Sequence, residues 1–147
     1  MWVEKHSFAE DIKTTYKRRI SMINYKDLKN ISGICVKGKE LSEGLRLLSN
    51  TLNIPVYRIY DFNNDFQVTI QNLITDIENR KINCIIVNEI EDVLKTKTAI
   101  EFFIKEVVIR YDIRLIITNK DIDFVPSELL VEEENLFNII KEEIVGE

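Results

Sequence analysis

A chain of 147 residues with 45% hydrophobic and 31% charged side chains has the composition of one globular domain, long enough to bury about two-thirds of its unfolded surface. No apolar run approaches the roughly 18–20 residues that span a bilayer, and Glu4, Lys5, Glu10 and Asp11 occupy the stretch where an export signal needs an apolar core. With a net charge of only −5, the expectation is a cytoplasmic protein with no membrane segment and no broad duplex-binding face.

Residues 7–27 read as a helix. Phe8, Ile12, Tyr16, Ile20 and Ile23 form one stripe of a 3.6-residue repeat. Ser7 with Glu10 makes a capping-box start, and Lys13, Lys17, Arg18 and Lys26 occupy the far face.

From residue 31 strands and helices alternate. Ile31–Lys37 is an apolar, β-branched run, and Glu40–Leu52 is helical with Leu41, Leu45, Leu48 and Leu52 on one side. Pro55–Tyr60 reads as a strand, then Val68–Asn79 as a helix with Ile70, Leu73, Ile74 and Ile77 inward. Ile82–Val87 is nearly pure apolar, the mark of a strand covered on both faces. A helix over Thr98–Tyr111, a strand over Ile113–Thr118 and a last helix near Glu134–Ile144, capped by the Ser127–Glu128 turn, complete the chain.

Four strand–helix repeats with short loops predict an α/β fold. Its form is three-layered: a mainly parallel four-stranded sheet with helices on both faces, joined by right-handed crossovers, plus the extra N-terminal helix. The expected division is one domain over 1–147, with a helical extension at 1–29, a core at 30–125 and an acidic segment at 126–147.

Charge is uneven along this chain. Residues 1–39 hold nine Lys/Arg against four Asp/Glu, a net of +5, which leaves −10 for the remainder; residues 128–147 hold seven Glu. A basic head permits contact with an acidic partner. Cys35 and Cys84 sit inside apolar runs and read as buried hydrophobes, and the single histidine, His6, leaves no His/Cys metal cluster. No metal or cofactor is expected.

In such sheets ligands bind beyond the carboxyl ends of the strands. The loops to inspect are Lys37–Glu40, Asp61–Gln67, Asn88–Thr96 and Asn119–Pro126. With four glycines in the chain, neither phosphate-cradling spacing occurs. The acidic pair and aspartate of a phosphorylated receiver domain are missing as well.

The stretch from Ile59-Tyr60-Asp61, through Leu73-Ile74-Thr75-Asp76-Ile77 and Arg80-Lys81-Ile82-Asn83-Cys84-Ile85-Ile86-Val87, to Tyr111-Asp112-Ile113-Arg114-Leu115-Ile116 and Ile122-Asp123 resembles the catalytic domain of serine recombinases, over about 90 residues. The resemblance implies a fold that places a serine after the first strand, in a Y-x-R-x-S motif, and two arginines in a D-R-x-x-R word after the third. That chemistry needs a hydroxyl nucleophile and planar guanidinium forks on the phosphate oxygens. On this frame the arginine position of the first motif is Val36 and the serine position is Gly38; the two arginines of the second are Asp92 and Lys95. Ser32, within a strand, and Ser42, one turn into a helix, have no arginine cluster or histidine base beside them in sequence. Family members continue into a long dimerising helix and a DNA-binding domain, whereas here 24 residues, seven of them Glu, follow Asp123.

The reading is therefore a catalytically inactive serine-recombinase-like domain with no catalytic residues. It serves protein interaction or regulation through a protein partner or self-association, with weak or no direct DNA binding. The basic helix with Tyr16, Lys17, Arg18 and Arg19 is the expected contact. Two alternatives stand beside it. One is a degenerate AAA+ core, resembled by Ile85-Ile86-Val87-Asn88-Glu89, Thr118-Asn119 and Pro126-Ser127-Glu128. The other is a Mg²⁺-dependent enzyme using Asp61, Asp65, Glu89 or Glu91 at the loop ends.

Overall fold

The structure is a computed structural model and describes residues 29–129 and 131–146. The helix read over 7–27, with Tyr16, Lys17, Arg18 and Arg19, lies outside the described residues. Four parallel strands, β1 (Ser32–Val36), β2 (Val56–Asp61), β3 (Cys84–Val87) and β4 (Arg114–Ile117), are joined by a fifth, β5 (Ile122–Phe124), antiparallel to β4; the order is β2-β1-β3-β4-β5. The mainly parallel α/β sheet matches the sequence reading, but it has five strands, not four. The Thr118–Lys120 turn and Asp121, in the left-handed conformation at φ 52°, reverse the chain into β5. Arg114 then clamps Asp123 across the two strands with two hydrogen bonds of 2.9 and 2.7 Å.

Every residue of β1 and β3 is buried, as a strand covered on both faces requires. Alternate side chains divide the core. Cys35, Ile85, Val87, Leu115 and Ile117 point to one side, and Ile34, Val36, Cys84, Ile86 and Ile116 to the other. The chain moves from β1 to β2 in one direction across the sheet and from β2 to β3 and β4 in the other. Crossovers of a single hand then require the first connecting helix on one face and the later ones on the opposite face. That is the arrangement found. Helix α1 (Ser42–Thr51) joins the Ile34 side through Leu45. Helix α2 (Phe66–Glu78), the short α3 (Ile90–Val93) and α4 (Lys97–Phe103) pack on the Cys35 side.

Helix α1 keeps Leu45 and Leu48 of the leucine stripe read in the sequence against the sheet and departs from it at the two ends. It turns Ser42, Leu45 and Ser49 to the sheet, while Leu41 and Leu52 are 49% and 40% exposed. The small serines allow close approach because their hydroxyls are satisfied locally. Ser49 donates to the Ile54 carbonyl, and Ser42 donates to the Lys39 carbonyl at 2.6 Å. Gly33 does similar service in β1, since a Cβ there would lie 2.5 Å from the Tyr60 ring. Tyr60 fills that space and donates its hydroxyl to Asp76 on α2 at 2.6 Å.

Helix α2 is capped at its start by Asp65, whose carboxylate accepts from the Val68 amide at 3.2 Å. It ends in a Schellman pattern: Lys81 N–H reaches the Asp76 carbonyl, and Arg80 N–H reaches that of Ile77. Helix α4 runs on into a π-helix over Ile104–Ile109. Ile104, Val107 and Val108 suit a 3.6-residue repeat and Ile109 does not; the wider i→i+5 turn brings Ile109 to the same buried side. Helix α5 (Glu133–Val145) closes the core with Leu136, Ile140 and Ile144. The Ser127–Glu128 turn does not cap it. The cap position is Glu132, with no side-chain hydrogen bond, and the Pro126–Glu128 turn is held instead by the Ser127 amide donating to Asp112 at 2.9 Å.

No described helix is long and apolar enough to cross a membrane.

Candidate functional site at the carboxyl ends of β1 and β3

The connection after β1 leads to one side of the sheet and the connection after β3 to the other. Diverging loops leave a crevice at such a switch point, where ligands of open α/β sheets bind. The residues brought there come from Lys37–Glu40, from the turn after β2, and from the segment after β3.

Gly38 is buried with φ 104°, a conformation L side chains rarely adopt. Its amide donates to the Asp61 carboxylate at 2.9 Å, and the same oxygen accepts the Asn63 amide at 3.0 Å. A Cβ at Gly38 would stand 3.3 Å from Asn63 Nδ2 and 3.4 Å from Glu40 Oε1. Two side-chain groups therefore already lean over the position that the resemblance assigns to the nucleophile.

Val36, the arginine position of that frame, points away from the crevice. It is 3% exposed and belongs to the core cluster of Leu45, Ile54 and Ile86. Asp92 on α3 is half-buried, and Lys95, just beyond it, is exposed. The Lys37 amino group lies beside that of Lys95, a contact between two like charges. That contact is the first cause of a Lys95 pKa below the usual lysine range, and the Asp92 charge partly offsets it. Lys95 thus has Lys37 and Asp92 as neighbours beyond the ends of β1 and β3, while Val36 lies in the core. Sequence reasoning had not singled out Lys37 or Asn63. The signal for Lys37 was its place beside the glycine ending a buried strand.

The loops after β1, β2 and β3 contain no arginine. The arginines whose partners are resolved are engaged elsewhere: Arg58 with Asp76 at 3.1 Å, Arg110 with Glu106 at 3.6 Å and Arg114 with Asp123. Ser32 is fully buried and donates to the Pro55 carbonyl at 3.0 Å. Ser42 is bound to the Lys39 carbonyl.

The carboxylates proposed for metal are dispersed among structural tasks. Asp61 organises the Gly38 and Asn63 amides, Asp65 caps α2, and Glu91 lies 3.7 Å from Lys120 Nζ. Glu89 is exposed at the start of α3. Among the described residues no group of three or more potential ligands could hold a metal ion. The pair that suggested an ATPase core does come together: Thr118 donates to the Asn88 side chain at 2.6 Å and the Asn119 amide to the Asn88 carbonyl at 3.1 Å. That bond ties β4 to the end of β3 and occupies the Asn88 carbonyl group.

No family model and no curated protein matches the chain. Among solved structures it is similar to the N-terminal catalytic domain of TP901-1 integrase, with a TM-score of 0.59 at 16% identity, covering 74% of this chain and 91% of that one. At such identity the likeness is one of fold, and it agrees with the resemblance carried by the sequence: the chain has a serine-recombinase-like α/β fold.

Proposed function

We propose that the chain is a serine-recombinase-like domain without recombinase chemistry, acting as a protein-interaction or regulatory module linked to DNA recombination or a mobile element. The observation that supports this most is Gly38. At the nucleophile position there is no hydroxyl to attack phosphorus, and the backbone is in a conformation that disfavours any side chain. Around it the fixed charges are Asp61, Glu40 and Asp92 against Lys37 and Lys95, a mixed set in place of the guanidinium forks that grip a phosphodiester. The partner is a protein, another copy of this chain or an active recombinase, and direct affinity for DNA is small.

The test has two arms. Incubation with supercoiled plasmid, followed by denaturing gels, is expected to give neither nicked circles nor a protein–DNA adduct; a covalent adduct from the unmodified chain would sink the inactive reading. Size-exclusion chromatography with light scattering, alone and with a recombinase encoded beside it, is expected to show assembly. A strict monomer that ignores the recombinase removes the interaction half.

A further inference from the structure

We draw no further inference here: the strongest candidate, the apolar patch of Leu41, Leu47 and Leu52 on the outward side of the helix after the first strand, is exposed, and nothing in the structure shows what covers it.

Discussion

Glu128 offers a quantitative test of how the Pro126–Glu128 turn is buried. The residue is 8% exposed, and its Oε2 is fully buried with no hydrogen-bond partner. Burial pushes its carboxyl up to about 7 from an ordinary 4.5. Between those two values the folded protein keeps a proton that the unfolded chain has released, so stability falls as pH rises from about 4.5 to about 7 and is level above. A shift of that size corresponds to about 3 kcal/mol at one pKa unit per 1.36 kcal/mol; solvent screening at the protein edge brings the expected loss to about 1–3 kcal/mol. Other carboxylates shape the whole stability curve, so the informative quantity is the difference between the protein and its Glu128→Gln variant. Urea unfolding followed by circular dichroism, at several pH values from about 5 to 8, is expected to show the variant gaining on the parent by about 1–3 kcal/mol as pH rises. A constant offset between the two curves would refute a buried, unpartnered carboxyl at this position.

Three further outcomes are expected. Tyr60→Phe removes the donor that holds Asp76 and leaves the carboxylate to Arg58 alone, which costs about 1–3 kcal/mol; the urea midpoint reads it, and an unchanged midpoint speaks against the bond. Arg80 sits at the C′ position of α2 with φ 59°, a left-handed site where glycine is favoured. Arg80→Gly is expected to stabilise by about 0.5–1 kcal/mol after the entropy of the added glycine is subtracted, seen as a melting point higher by a few degrees. Burial raises the thiols of Cys35 and Cys84 to about 12, so both resist a disulfide reagent at neutral pH until urea unfolds the chain; rapid labelling of the native protein contradicts that burial.

The parallel core was legible because its strands leave strong traces. Ile31–Lys37, Ile82–Val87 and Ile113–Thr118 are predominantly apolar, β-branched runs, and the observed β1, β3 and β4 lie inside them. The elements that escaped notice are those whose pattern is too short to have a period. The alternation in β5 is Ile122-Asp123-Phe124, one cycle long, and its turn uses a left-handed aspartate where a glycine would have signalled the reversal. Helix α3 is four residues. The leucine stripe of α1 held for Leu45 and Leu48, which pack on the sheet, and failed for Leu41 and Leu52 for a different reason. A buried serine with a satisfied hydroxyl costs little, so Ser42 and Ser49 took the sheet-facing side and displaced Leu41 and Leu52 outward. Within the site, Gly38, Asp92 and Lys95 lie in the segments that follow β1 and β3, because strand ends fix where a loop lies. The approach of Lys37 to Lys95 is a matter of side-chain reach across two loops, which no spacing along the chain encodes.

On the proposed reading, placing a nucleophile at Gly38 would take more than one substitution. A serine in place of Gly38 would have to hold φ 104°, a penalty of about 1–2 kcal/mol for a residue with a Cβ. Its Cβ would press on Asn63 and Glu40. Its hydroxyl would face a phosphate that Asp61 and Asp92 repel, with Lys95 supplying a point charge where the frame has a bidentate fork. The valine at position 36 closes the remaining route, since an arginine there would start from a side chain pointing into the packed cluster of Leu45, Ile54 and Ile86. Each obstacle arises from a different physical source: backbone conformation, sterics, charge and core packing. Removing one leaves the others in place. On the proposed reading, a Gly38→Ser variant is therefore expected to be inert on plasmid DNA, and a covalent adduct formed by it would refute the argument.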